Sequence, residues 1–160
     1  MSDCYPCVQN GLPPSSLPPR ERIYDDGLWR VAHAFNSALP GWMVVVPRRH
    51  ITSLSELTSA EARVLGPLLR SLSQALERAL GSQKAYMLFL AEGEGFHHVH
   101  IHVVPRQPDQ PAERRGARIF GYLDQPPADW VNPAEMDRIA DELRPLLAAG
   151  LEGENSPSLL

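Results

Sequence analysis

Hydrophobic and polar positions along the chain fall into runs of two different periods. From Leu65 through Leu68, Leu69, Leu72 and Leu76 to Leu80, leucines recur at three- and four-residue intervals, the spacing of one buried stripe on an amphipathic helix. Thr58-Ser59-Ala60-Glu61 precedes the stripe as a capping box, and Gly81 follows it with no Cβ to oppose a left-handed stop. A helix is therefore predicted over 58–80, with Pro67 marking a kink or an early boundary. Asn132-Pro133-Ala134-Glu135 is a second helix start, a capping Asn with proline at the first helical position. Met136, Ile139, Ala140 and Leu143 form its buried stripe, and Pro145 is expected to end or bend it.

Shorter apolar runs predict strands. Glu21 to Asp25 and Leu28 to Ala34 flank Asp26-Gly27, a hairpin turn dipeptide. Gly41 to Pro47 is apolar enough to lie centrally in a sheet, and Ala85 to Leu90 gives a fourth strand. The last runs from Phe96 to Arg106, where His98, His100 and His102 alternate with Val99, Ile101 and Val103. Successive side chains of an extended strand point to opposite faces. The three imidazoles are thus expected on one face, neighbours roughly 6–7 Å apart, with the aliphatics against a core. The fold class expected is α+β, an antiparallel sheet of about five strands with one long helix and a C-terminal helix.

Between these elements lie segments of other kinds. Residues 1–20 carry Pro6, Pro13, Pro14, Pro18 and Pro19, which argues against a central strand or a helix and lays this arm over the surface. A domain core is expected over 21–106, with a C-terminal loop and helix of the same domain over 107–149. The polar stretch from Gln107 to Gly116 reads as a mobile loop and residues 150–160 as a flexible tail.

Composition narrows the function classes. A chain of 160 residues suits one domain with a real core. No apolar run is long enough to span a bilayer, and no basic-then-apolar leader is visible, so a cytoplasmic protein is expected. A net charge of −4 argues against broad nucleic-acid binding but leaves a small phosphorylated ligand open. Cys4 and Cys7 form a C-x-x-C pair. A reducing compartment disfavours a disulfide, leaving half a zinc site, a redox pair or coincidence. A redox pair usually opens a helix after a strand, and this one lies at the N-terminus with Pro6 inside it, which favours zinc.

The histidines carry the candidate chemistry. A purely structural role would leave several buried ring nitrogens needing partners. One metal held by all three is excluded on a flat strand, where His98 and His102 stand roughly 13 Å apart. Nucleophilic catalysis on phosphorus fits better, because the neutral imidazole is populated near neutral pH. Neighbouring imidazoles can orient it, bind phosphoryl oxygens or donate a proton. The glycines of Glu92-Gly93-Glu94-Gly95, just upstream, let backbone N–H groups approach a phosphate as an anion nest.

The run His98-Val99-His100-Ile101-His102-Val103-Val104 resembles the signature of the histidine-triad superfamily of nucleotide hydrolases and transferases. Pro105-Arg106, Ile23-Tyr24-Asp25-Asp26, and Leu39-Pro40-Gly41 leading into Met43 to His50 extend the likeness over residues 4–106. The resemblance implies that His100 attacks the α-phosphorus of a nucleotide, forming a nucleotidyl-histidine that water resolves. It gives His102 the phosphate or leaving group, His98 a supporting role, and the backbone around Gly93, Gly95 and Phe96 the phosphate oxygens. The implied substrate is a nucleoside phosphoramidate or related nucleotide. The alternatives are dinucleoside polyphosphate hydrolysis, or a nucleotide-binding regulatory module with weak catalysis. A structural Zn2+ held by Cys4, Cys7, His50 and His98 and a homodimer are implied as well.

The chain also departs from the pattern. Trp42 stands where many members place a further histidine, and Ala91 near where an Asn or Gln commonly meets substrate. Strict alignment puts Ala34 at the ribose position, and only a two-residue slip gives Asn36, for which a loop-turn Asn is the alternative. Trp29, Phe35, Trp42 and Phe96 are either walls for a base or core residues.

Overall fold

The computed structural model describes residues 4–154. The chain opens with a short helix, α1 (Tyr5–Gly11), then runs through β1 (Tyr24–Asp25), β2 (Trp29–His33) and β3 (Met43–Pro47) to a long helix, α2 (Ser59–Leu80). Strands β4 (Lys84–Phe89) and β5 (Ile101–Arg106) follow, and α3 (Pro133–Glu154) closes the described chain. The sheet has five strands in the order β1-β2-β3-β5-β4, every neighbouring pair antiparallel. The α+β class and the C-terminal helix stand as the periodicities indicate.

One face of the sheet packs against α2 and α3. Met43, Val45, Ile101 and Val103 meet Leu68, Leu72 and Leu76 of α2 and Ile139, Leu143 and Leu147 of α3. Each fully buried aliphatic contributes about 1.5–3 kcal/mol. That explains why both helices continue past their prolines. Pro67 and Pro145 each cost a helical hydrogen bond, but neither helix breaks, because side chains on both sides of each interruption pack on the core, half-buried Val64 and Leu65 before Pro67 and buried Leu68 after it, Leu143 and Leu147 around Pro145. The capping box is in place: Thr58 Oγ1 accepts from the Glu61 N–H at 3.2 Å and the Glu61 carboxylate accepts from the Thr58 N–H at 2.7 Å. Gly81 closes α2 at φ +66°. Gly41, at φ +83°, lets the turn before β3 pass so close to α2 that a Cβ there would collide with Leu80 Cδ1.

Four expectations need correction. The proline arm does contain a helix, α1, because Pro6 falls in its first turn, where the missing N–H costs nothing. The first strand shrinks to Tyr24–Asp25, since Pro18 and Pro19 turn residues 19–21 into a 3-10 turn. The stretch read as a loop over 107–116 contains a 3-10 turn, Ala112–Arg114, and two more follow it, Gly116–Tyr122 and Pro127–Asp129. The middle one covers the second face of the sheet, where Ile119 packs with Ala34, Leu39, Trp42 and Val104. Finally, α3 continues to Glu154, into the expected tail, whose remaining residues, 155–160, lie outside the described chain.

Candidate active site and metal centre

Strand β5 begins only at Ile101, so His98 and His100 precede it and His102 alone lies within it. His98 sits at a bend, and His100 and His102 stand edge to face with ring centroids 4.9 Å apart. The aliphatics keep their alternation, with Val99, Ile101 and Val103 all buried.

His98 is fully buried, and its Nε2–H donates to the Pro47 carbonyl at 2.9 Å. That leaves Nδ1 with a lone pair, directed at the cysteine pair. Cys4 Sγ lies 3.6 Å from both His50 Nδ1 and His98 Nδ1, and Cys7 Sγ lies 3.2 and 3.4 Å from them. All four donor atoms fall within 4.8 Å of one another. A tetrahedral zinc separates sulfur and nitrogen ligands by about 3.6 Å, so donor set and spacing fit that ion, and the Pro47 carbonyl supplies the outer contact that orients a ligating histidine. Burial, with the neighbouring Cys4 sulfur, pushes the Cys7 thiol up to about 11, which a cation at the centre would reverse. Burial, followed by the nearby His50 and His100, lowers His98 below the ordinary imidazole value.

The arm that carries the cysteines is also tied down by polar contacts. Asn10 Nδ2 donates to the Pro47 carbonyl at 3.0 Å, and Arg30 Nε donates to Asn10 Oδ1 at 2.9 Å. Arg30 pairs with Glu21 at 3.0 Å with both side chains nearly out of solvent. Removing one partner of such a buried pair costs about 3–5 kcal/mol. The Tyr5 hydroxyl donates to the other Glu21 oxygen at 3.1 Å, and burial, then Glu21, pushes its pKa up to about 12.

Beside this network opens a cavity of about 270 Å³, with His100 and His102 on one wall. His100 Nδ1–H donates to the His98 carbonyl at 2.8 Å, leaving Nε2, without a hydrogen-bond partner among the described residues, as the ring's free lone pair. His102 is held differently: Trp42 Nε1–H donates to its Nδ1 at 2.9 Å, so its own proton sits on Nε2. Burial, with His100 adding to it, lowers His102 to about 4. Phe120 stands edge-on to the His102 ring at 5.5 Å.

Asn36, Gly93 and Phe96 line the cavity. Gly95 does not line the cavity; at φ +76° it turns the chain, and its carbonyl accepts the Tyr5 N–H at 3.2 Å. The Phe96 N–H is spent on the Gly93 carbonyl at 2.9 Å, inside the same turn. Of the four aromatic candidates, Trp29 is core, its indole N–H donating to the Glu61 carbonyl, and Trp42 backs His102. Phe35 and Phe96 do line the cavity, joined by Tyr5, with ring centroids 5.1–6.2 Å apart. Ala91, at φ +55°, is one of the lining residues too.

Sequence reasoning missed Tyr5, Glu21, Arg30 and His33 on this wall. Only the placement of Tyr5 beside Cys4 offered a signal, since fixing the cysteines fixes it. His33 has both ring nitrogens occupied, Nδ1–H donating to the Ala34 carbonyl at 2.7 Å and Nε2 accepting the Gly41 N–H at 3.0 Å.

Compared with known proteins, residues 17–109 match the HIT domain model. The chain belongs to the histidine-triad family. Among solved structures, this HIT chain is similar to a zinc-bound histidine triad family protein from Mycobacterium smegmatis, with TM-score 0.65, 18% identity, and 95% of this chain and 97% of that one covered. A hypothetical histidine triad nucleotide-binding protein from Sulfolobus tokodaii gives TM-score 0.66 at 14% identity, covering 89% and 93%. In sequence, the HIT chain is 29% identical over 72 residues to the asymmetrical bis(5'-nucleosyl)-tetraphosphatase of Schizosaccharomyces pombe. That match spans 43% of this chain and 40% of the relative. Among the described residues no helix is long and apolar enough to cross a membrane.

Proposed function

We propose that this protein is a nucleotidyl hydrolase or transferase in which His100 Nε2 attacks the α-phosphorus of a bound nucleotide. The observation that carries this reading is the 2.8 Å hydrogen bond from His100 Nδ1–H to the His98 carbonyl. It places the ring proton on the far nitrogen and the lone pair on Nε2. As the P–N bond forms, the bond from phosphorus to the leaving group breaks, and the leaving group takes the electron pair. Water then attacks the nucleotidyl-histidine, giving a nucleoside monophosphate and releasing His100 with its lone pair; the water's spare proton passes to solvent.

His102 supports this step as a donor, its Nε2–H available to a phosphoryl oxygen. Tyr5, Phe35 and Phe96 offer flat apolar surface for a base, and Asn36 the ribose contact. Cys4, Cys7, His50 and His98 would hold a structural zinc, and the zinc-bound similar structure supports this assignment. Such an ion neutralises the thiolates and fixes the arm and residue 98. Its effect reaches His100 through the His98 carbonyl. The protein is proposed to work as a cytoplasmic homodimer, with no nucleic-acid partner.

The leaving group is an amine, as in nucleoside phosphoramidates, or a phosphate chain, as in dinucleoside polyphosphates. The partial likeness to a tetraphosphatase favours the second. His100→Asn is expected to abolish turnover of both while nucleotide affinity by calorimetry stays within about threefold. Rapid quenching without acid should recover label on His100 in the wild type. Normal turnover in the variant defeats the proposal. Nucleotide binding with neither turnover nor label would instead support a regulatory module.

A further inference from the structure

His102 has a neighbour that the nucleophile reading does not use. Trp42 is fully buried just before β3, and its indole N–H meets His102 Nδ1 at 2.9 Å. We propose that Trp42 is a positioning residue: it locks His102 as a neutral ring with its proton on Nε2, and thereby selects nucleotides whose leaving group departs as a phosphate-chain anion over those that release an amine. The inference rests on attack by His100.

An indole N–H is a donor only, so the nitrogen it meets must accept. A ring flip would break that bond, and the ring is walled in, with His100 at 4.9 Å and Phe120 at 5.5 Å, both edge to face. Phe120 also packs on Trp42 at 5.8 Å, so tryptophan and histidine are braced by the same residue. Protonating His102 at Nδ1 would set N–H against N–H in a buried site, which excludes the imidazolium. Burial acts in the same direction, holding the ring down to about 4.

The chemical consequence follows from the proton inventory. His102 Nε2–H can donate a hydrogen bond to a phosphoryl or bridging oxygen. It cannot surrender that proton, because Nδ1 holds none and the ring would be left as an imidazolate. Other ring donors on the wall do not replace it. His33 has both nitrogens engaged, and the Tyr5 proton is committed to Glu21. When a P–N bond breaks, the amine nitrogen takes the electron pair and must gain a proton to be a tolerable leaving group. When a P–O–P linkage breaks, the phosphate chain leaves as a weakly basic oxyanion and needs none, only donors facing the growing charge. A fixed Nε2–H serves the second case. The substrate class is therefore nucleoside polyphosphates, including dinucleoside polyphosphates.

The test combines spectroscopy and kinetics on the full chain. In ¹⁵N-labelled protein, long-range ¹H–¹⁵N spectra should show His102 with a protonated Nε2 and a bare Nδ1, and in Trp42→Phe this preference should relax to a tautomer mixture. Diadenosine tetraphosphate should exceed an adenosine 5'-phosphoramidate of an alkyl amine in kcat/KM by at least about tenfold. Trp42→Phe should lower kcat for the tetraphosphate by about tenfold, the effect of roughly one hydrogen bond, with KM little changed, and should narrow the gap between substrates. Three results overturn the proposal: a wild-type His102 protonated on Nδ1, a wild-type preference for the phosphoramidate, or an unchanged substrate ratio once the tautomer is released. Labelling of His100 by the phosphoramidate as the better substrate sinks this inference alone. No turnover of either substrate and no label on His100 sinks the nucleophile reading with it. The wild-type spectrum and substrate ratio decide the matter even where Trp42→Phe does not fold.

Discussion

The free ring nitrogen of His100, Nε2, is set by a single hydrogen bond from Nδ1–H to the carbonyl of His98, two residues earlier. Residues 98 to 100 precede β5, and residue 98 lies at a bend. That these histidines would lie close together was legible from their spacing along the chain. Their separate roles were not, because a tautomer is set by the partner of the second nitrogen, and those partners, Pro47, the His98 carbonyl and Trp42, are fixed by tertiary contacts. At this scale Tyr5 offers a sharp test. Tyr5→Ala is expected to weaken binding of a nucleoside monophosphate about 3- to 10-fold by calorimetry, the worth of one aromatic contact at about 0.5–1.5 kcal/mol. Unchanged affinity would remove Tyr5 from the base wall.

Helix α2 shows how an element both follows its sequence and exceeds it. Its capping box, leucine stripe and left-handed Gly81 were all readable, and Thr58→Ala should lower stability to urea by about 1 kcal/mol. Less readable was the second use of Glu61, which also binds Arg49 at 2.9 Å and so ties the His50 segment to the helix. The Arg49 side chain, with the Thr58 contacts, holds the Glu61 carboxyl down to about 2. Its folded value lies below the unfolded value of about 4.3, so the stability it contributes is present above that value and lost as pH falls towards 2. The gap in urea midpoint between wild type and Glu61→Gln should accordingly be widest at neutral pH and close by about pH 2. A gap independent of pH argues against the ionised carboxylate as its source. The Gly116–Tyr122 turn is the opposite case, an element whose apolar residues, Ile119, Phe120 and Tyr122, were visible but whose place over Trp42 and His102 was not.

Across the whole molecule, the arm, the sheet and the cavity form one coupled unit. Cys4 and Cys7 flank Tyr5 and Pro6, both on the cavity wall, so whatever fixes the cysteines fixes part of the site. Elemental analysis is expected to give about one zinc per chain, lost in Cys4→Ser together with a fall in Tm of at least about 5 °C; equal metal content in the variant defeats the assignment. Strand β4 ends the sheet with Met87 and its neighbour Leu90 exposed, and sedimentation of the full chain should give twice the chain mass if the homodimer reading holds. The amino-acid sequence by itself determined the two long helices, the sheet's longer strands, the α+β class and the identity of the chemical groups, because helix periodicity, strand alternation, caps and hairpin turns are interactions among near neighbours. Only the tertiary structure decided what each group faces. The four residues able to hold a metal converge from positions 4, 7, 50 and 98, and Trp42 reaches His102 across 60 residues of chain. Proton placement and metal geometry act over a few ångströms between residues far apart along the chain, and no local pattern encodes such a meeting.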